Sequence, residues 1–238
     1  LLRGIWFCWQ SSRGVMKITA TRLVSEPPET AFAPVWDYTL AQTKGDIDLG
    51  SLAEYILLKE QEIVSEYPGD MTYAPLDDGK TNLGEDSLTA RFKYFNVFKW
   101  DHPECKKLLA LVREMHLSYH KALTGHEACK TKIRCWANVL RKDEQIGKHN
   151  HATHPHTYIS GHFCVTSTDT STIYVPPYSE WGDEIVMENI PGEMTLFPTW
   201  LTHYTSRHKH DEPRITLAFD IVPAEGLTHV DEDNLVDL

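Results

Sequence analysis

The amino-acid sequence predicts one α+β domain: a sandwich or barrel-like jelly roll of short strands, cupin-like in outline, with helices from the N-terminal part packed outside it. Three observations point there. Helical periodicity is confined to residues before 131. From Lys132 onward, segments of five to ten residues alternate apolar and polar side chains between turn clusters. Many short strands within roughly 90 residues form a sandwich or closed roll, because each strand has one face to bury. The length of 238 residues suits one well-buried domain and is too short for two of ordinary size.

Taken in order, residues 1–15 precede Met16, which opens MKITATRL, a reasonable start of translation. They are read as a non-native or flexible extension and set outside the fold; if the segment is genuine, Ile5, Trp6 and Trp9 would make it a docking element. Residues 16–131 form the helical and loop part. After the loop EPPETAFAPVW, Asp48 is a candidate N-cap for a helix carrying Leu52, Ile56, Leu57, Ile63 and Val64 and ending before Tyr67-Pro68-Gly69. Residues 68–90 are rich in Gly, Pro, Asp, Asn and Thr and read as a long loop of the kind that covers sites. An aromatic run, 92–100, leads to Asp101-His102-Pro103-Glu104. There Asp101 is placed at the cap of a second helix bearing Leu108, Leu111, Val112, Met115 and Tyr119, closed by Gly125. Residues 132–223 are the β-rich core, with strands expected at 133–140, 157–166, 172–175, 184–188, 193–197 and 214–222, and turns at Pro176-Pro177 and Pro191-Gly192. Residues 224–238 make an acidic tail, and no internal repeat is present.

Composition narrows the function. A net charge of −11 opposes attraction to phosphate backbones and anionic lipid. No apolar run reaches the ~18–20 residues of a membrane helix, and no secretory leader pattern opens the chain. Five scattered cysteines without a CxxC pair fit neither a disulfide framework nor a thiolate zinc site. The expectation is a cytoplasmic protein with a small-molecule or peptidyl substrate, no membrane or nucleic-acid partner, and an oligomeric state the sequence leaves open.

Histidine placement carries the chemistry. Of 13 histidines, five fall within 149–162 and three within 203–210. His149 and His151 are separated by one residue just before a strand, so in extended chain both side chains can face one way and bind one metal. In the second window a turn, an apolar strand and a Phe-Pro step precede His203, and Arg214 follows eleven residues later. Arg214, Thr216, Ala218 and Asp220 alternate with Ile215, Leu217, Phe219 and Ile221, so Arg214 and Thr216 share a strand face. An inward guanidinium needs a carboxylate, and a small dicarboxylate suits its bidentate fork.

WANVLRK, then KHNH, TYISGHFCV, GEMTLFPTWLTH and RITLAFD, together resemble the 2-oxoglutarate/Fe(II) oxygenase superfamily, and more narrowly oxygenases of marine bacteria and their phages. That family's pattern is a His-x-acid pair, a distal His and, about ten residues later, Arg-x-Ser or Arg-x-Thr. The resemblance covers roughly residues 132–222. It implies a double-stranded β-helix, Fe(II), 2-oxoglutarate and O2 as cofactors, and a dioxygenase that couples oxidative decarboxylation of 2-oxoglutarate to hydroxylation of a substrate, peptidyl proline being one candidate. It further implies His149 and His203 as iron ligands and Arg214 with Thr216 on the distal carboxylate. Asn138 stands where related enzymes place a polar cosubstrate contact.

One departure matters: the position two residues after His149 is His151, not Asp or Glu. Three histidine ligands, His149, His151 and His203, are the favoured set. In the other reading His151 lies behind the metal and only two protein ligands bind, with His154 its chief rival. His156, His208 and His210 read as solvated loop residues. His162 either faces the pocket or is an interior hydrogen-bonded group, and Trp136 and Trp200 read as packing. Arg214 has a lesser structural reading as the partner of Asp211 or Glu212. Two other functions compete: a cupin-like metal protein with a histidine-only site and no 2-oxoglutarate dependence, and a non-catalytic jelly-roll module. Dependence on 2-oxoglutarate separates the first rival; oxygen turnover with iron separates the second.

Overall fold

The structure, a computed structural model, describes residues 3–10, 16–68, 76, 79–152, 158–166, 169–177, 184–225 and 234–238. Two antiparallel sheets and two helices account for most of them. In chain order the strands are β1 (Arg3–Gln10), β2 (Lys17–Val24), β3 (Asp37–Lys44), then, after helices α1 (Leu49–Glu66) and α2 (Pro103–Thr124), β4 (Thr131–Leu140), β5 (Ile159–Cys164), β6 (Ser171–Val175), β7 (Ile185–Glu188), β8 (Glu193–Pro198), β9 (Thr202–Thr205), β10 (Arg214–Pro223) and β11 (Val236–Asp237). The large sheet runs β1-β2-β3-β8-β5-β10-β4-β11 and the small one β7-β6-β9. The six core strands expected from alternation are all present, with ends moved by no more than two residues.

The N-terminal part departs from expectation. It was read as helix and loop, yet β2 and β3 extend the large sheet through the pairing of β3 with β8. Arg3–Gln10, set aside as an extension, pairs antiparallel with β2 along its whole length. In the tail, Val236–Asp237 pairs with the outer edge of β4. In β2 the alternation of Ile18 and Ala20 with Lys17 and Thr19 slips by one residue, since Thr21 and Leu23 are buried and Arg22 is exposed.

Both helices form for the expected reasons. Asp48 caps α1 by accepting from the Ser51 amide at 3.1 Å, and Leu52, Ile56 and Ile63 are buried. At α2 the cap is His102 rather than Asp101: the His102 ring nitrogen Nδ1 accepts from the Glu104 amide at 3.3 Å, and Pro103 takes the first helical position. Asp101 is left outside, ion-paired with Lys106 at 2.7 Å. Glu104 instead accepts from the Asp48 amide at 2.9 Å and ties the two helix starts together. Gly125 closes α2 in the left-handed conformation, φ 75°. Leu52 and Ile56 of α1 and Leu108, Val112 and Met115 of α2 share one core with Ile18, Ala41, Cys135, Phe163, Leu196 and Phe219 of the large sheet. A second cluster, Leu40, Tyr174, Phe197 and Leu201 among its members, joins the two sheets.

Gly161 shows how closely the centre of the roll is packed. A Cβ there would lie 2.5 and 2.6 Å from the ring carbons of Phe219 and 2.7 Å from the Thr195 carbonyl oxygen. Gly161→Ala is expected to cost ~1–3 kcal/mol through overpacking. For a chain of this size that lowers the melting temperature by about 2–4 °C per kcal/mol. Thermal unfolding checks it; a midpoint within a degree of wild type would show that the strands simply part.

Among the described residues, no helix is long and apolar enough to cross a membrane.

Candidate active site

Between the two sheets lies a cavity of about 140 Å³. One face of β10 supplies Arg214, Thr216, Ala218 and Asp220, β4 gives Trp136 and Asn138, β5 gives Gly161 and His162, and the segment after β4 gives His149 and His151. Phe197 of β8 and His203 of β9 line it as well. The alternation read from the sequence holds, because side chains two apart on a strand face the same way. It reached further than the Arg214–Thr216 pair: Asp220 is on that face too.

His149, His151 and His203 meet, with one ring nitrogen from each within 4.8 Å of the others. Backbone bonds bring them there. His149 and His203 exchange N–H to carbonyl bonds at 3.0 and 2.9 Å, and the His151 amide donates to the Thr199 carbonyl at 3.1 Å. Each ring is then fixed through Nδ1. His149 Nδ1 donates to the Gly147 carbonyl at 2.9 Å, His203 Nδ1 to the Leu201 carbonyl at 2.9 Å, and His151 Nδ1 to Asp220 Oδ1 at 2.6 Å. A carbonyl or carboxylate oxygen can only accept, so Nδ1 carries a proton in all three, which leaves Nε2 as the atom that can take a metal. This is the tautomer a metal needs. Burial, reinforced by its two histidine neighbours, holds the His203 pKa well below its ordinary value and keeps the ring neutral.

Asp220 is the residue the sequence reading passed over. Its Oδ1 accepts from both His151 Nδ1 and Ser160 Oγ, the latter at 2.6 Å. Burial opposes its ionisation, but His151, Ser160 and the positive charge of Arg134 outweigh that, and the carboxyl stays below its usual range. Its place on the Arg214 face was the available signal.

Arg214 is 1% exposed, and Asp211 and Glu212 are not its partners. Asp211 pairs with Lys142, and the Glu212 carbonyl faces His208. Arg214 Nε donates to Thr170 Oγ1 at 2.8 Å, while its Nη1 is buried without a hydrogen-bond partner among the described residues. Burial pushes its pKa down to about 10, so it remains a cation at neutral pH. Thr170 is itself held by Asn189 Nδ2 at 3.1 Å, and Asn189 Oδ1 accepts from Thr172 at 2.8 Å. The guanidinium is thus aimed by neutral groups only, leaving its charge for a ligand. Thr216 lies beside it, 3% exposed. Asn138 faces Thr216 across the β4–β10 pairing, and its carbonyl oxygen accepts from Thr89 at 2.8 Å; its amide N–H is the group it can offer a carboxylate.

His162 is both of the things it was read as: it lines the cavity, and its Nε2 is bonded to the Tyr174 hydroxyl at 2.9 Å. Burial, then the charge of Arg214, pushes its pKa down to about 3. Trp136 belongs to the buried core, as read, and also lines the cavity, 5.3 Å from the His151 ring. Trp200 packs edge-on against Tyr38 outside the cavity lining. His208 and His210 stand away from the cavity, but His208 is not solvated as read: it is fully buried, with Nε2 bonded to the Glu212 carbonyl at 2.7 Å; His154 and His156 lie outside the described residues. The described part of the long loop does cover the site. Gly79, Thr81 and Thr89 line the cavity, and the Gly147 amide donates to the Thr81 carbonyl at 2.7 Å. Arg91 pins the loop through Nε to the Tyr67 carbonyl at 2.9 Å.

The donor set fits the group that the first three rings can hold. Three imidazoles suit Fe(II) and other mid-series divalent metals, and a buried guanidinium whose Nη1 has no partner among the described residues suits a carboxylate.

Residues 134–220 match the family model described as "Putative 2OG-Fe(II) oxygenase". Among solved structures, a prolyl-4-hydroxylase from Pseudomonas putida aligns with 12% identity over 77% of this chain and 92% of its own, with a TM-score of 0.52. The carbocyclase SnoK of nogalamycin biosynthesis, described as non-haem and α-ketoglutarate dependent, aligns with 11% identity over 83% of this chain and 87% of its own, also at 0.52. At such identities the likeness is one of fold. The chain spans 60% of a 2OG-Fe(II) oxygenase family protein from Burkholderia pseudomallei, at 17% identity and a TM-score of 0.42. No curated protein matches the sequence. The family match covers the β-rich core, residues 134–220, and the two structures at 0.52 share the fold of this chain.

Proposed function

We propose that His149, His151 and His203 hold Fe(II), that Arg214 with Thr216 and the Asn138 amide holds 2-oxoglutarate, and that the enzyme hydroxylates a small-molecule or peptidyl substrate. One observation carries this: three histidines fixed through Nδ1 open onto a cavity that also contains a buried arginine with no anionic partner among the described residues. When bound, Fe(II) would activate O2, the oxidant, and 2-oxoglutarate would give up two electrons in losing CO2, so that one oxygen atom enters the substrate and the other succinate. The chain's own residues do the rest. The three rings present lone pairs at a fixed spacing with no tautomer change. Arg214 is already desolvated and oriented, so a carboxylate gains its fork without reorganising it. Phe197, whose ring lies 4.8 Å from that of His203, and Trp136 keep water from the histidines. The core packs against α1 and α2 on the side of Leu52, Ile56, Leu108 and Val112. One fold neighbour is a prolyl hydroxylase, which keeps peptidyl proline among the candidate substrates.

The histidine-only donor set also fits a cupin-like metal protein with no need of 2-oxoglutarate, and one experiment divides the two. Anaerobic titration of metal-free protein with Fe(II), then 2-oxoglutarate, is expected to produce the visible charge-transfer band of the chelate. Tight iron binding with no band at millimolar 2-oxoglutarate would favour the cupin-like protein.

A further inference from the structure

The three histidines are not equivalent. His149 and His203 donate Nδ1–H to neutral backbone carbonyls, both at 2.9 Å, whereas His151 donates to a carboxylate at 2.6 Å. The carboxylate is not there by chance of rotamer. Ser160, fully buried, donates to the same Oδ1 at 2.6 Å and shares a 3.1 Å bond with the Thr199 hydroxyl, and Thr199 is the residue whose carbonyl holds the His151 amide. Backbone and side chain of His151 are therefore positioned by one connected group, Thr199, Ser160 and Asp220. The His151 side chain is only 7% exposed, so water competes little for the bond.

We propose that Asp220 is a positioning residue that lends its negative charge to the metal through His151, so that His151 and Asp220 together serve as the anionic member of an otherwise neutral ligand set. This rests on the three-histidine reading above. The physical reason is general. An imidazole that donates Nδ1–H to an anion carries more electron density on Nε2, binds a divalent cation more tightly and is locked in orientation. Three neutral imidazoles leave the metal with one more unit of positive charge than a set containing a carboxylate. Asp220 returns part of that charge from one bond further out, without occupying a coordination position.

The test is Fe(II) affinity, measured anaerobically against a coloured chelator, in four proteins besides wild type. Asp220→Asn keeps an acceptor oxygen for both His151 and Ser160 but removes the charge. It is expected to weaken Fe(II) binding about 10- to 100-fold, the range for partners of metal-bound histidines. His151→Asp puts a carboxylate at the metal directly, where Asp220 faces it as a like charge. In that background Asp220→Asn is expected to tighten Fe(II) binding. The opposite signs are the signature of charge, which a folding defect or a purely structural hydrogen bond cannot produce. His203→Ala is the control. Asp220→Asn binding as tightly as wild type while His203→Ala loses iron overturns the role of Asp220 and leaves the triad standing. A loss of the same sign in both backgrounds also overturns it. If His203→Ala binds iron as tightly as wild type, the triad reading falls and the role of Asp220 with it.

Discussion

Arg214→Met is expected to bind 2-oxoglutarate far more weakly than wild type while making the ligand-free protein more stable. The two effects have one cause. The guanidinium is buried, and among the described residues its hydrogen-bond partner is the neutral Thr170. A buried charge without a counter-charge costs free energy, and replacing it by an apolar side chain of similar length removes that cost, here ~1–3 kcal/mol. A rise of about 2–4 °C in melting temperature per kcal/mol follows. Thr170 keeps its bond from Asn189 in the variant, so no new orphan is created there. In the complex the balance reverses, because removing one member of a buried charge pair costs ~2–5 kcal/mol. That weakens 2-oxoglutarate binding by about 30-fold to several thousand-fold. Thermal unfolding with and without 2-oxoglutarate reads both. Wild type should gain stability from the ligand and the variant should not, though it starts higher. A variant that melts below wild type and still responds equally to 2-oxoglutarate would show that Arg214 serves the fold instead.

His203→Ala is expected to bind Fe(II) more than ~100-fold more weakly, exceeding the effect typical of residues one bond further from a metal. The protein should nonetheless fold. The bridge between β9 and the segment bearing His149 is made by main-chain groups, which alanine retains, and Tyr174 and Phe197 pack around the vacated ring site. Iron content after anaerobic loading, beside a far-ultraviolet dichroism spectrum, separates lost ligation from lost structure. A folded variant with wild-type iron content would remove His203 from the metal site. The same measurement on His151→Ala decides whether the third ring ligates or stands behind.

Both predictions concern residues that the sequence picked out, and the reason is geometric. His149 and His151 lie two apart, and Arg214 and Thr216 lie two apart on a strand, so a period of two fixes which of them share a face before any fold is known. The six core strands were legible on the same ground. Helix α1 and the close of α2 followed from Asp48 and Gly125, whose capping geometry is local. The start of α2 was misread because His102 and Asp101 can both cap, and the choice was made by Lys106 drawing Asp101 outward and by Glu104 reaching Asp48.

What the chain determined by itself is the set of local relations: strand phase, helix ends, the two histidine windows and the arginine that follows them. Only the tertiary structure decided which distant groups complete them. Asp220 and His151 are 69 residues apart, and so are not paired by any sequence period. The same holds for Thr170 on Arg214, 44 residues away, and for the addition of β2 and β3 to the large sheet through β8. Such pairings depend on which strands lie side by side, and that is set by burial summed over the whole roll rather than by any short segment.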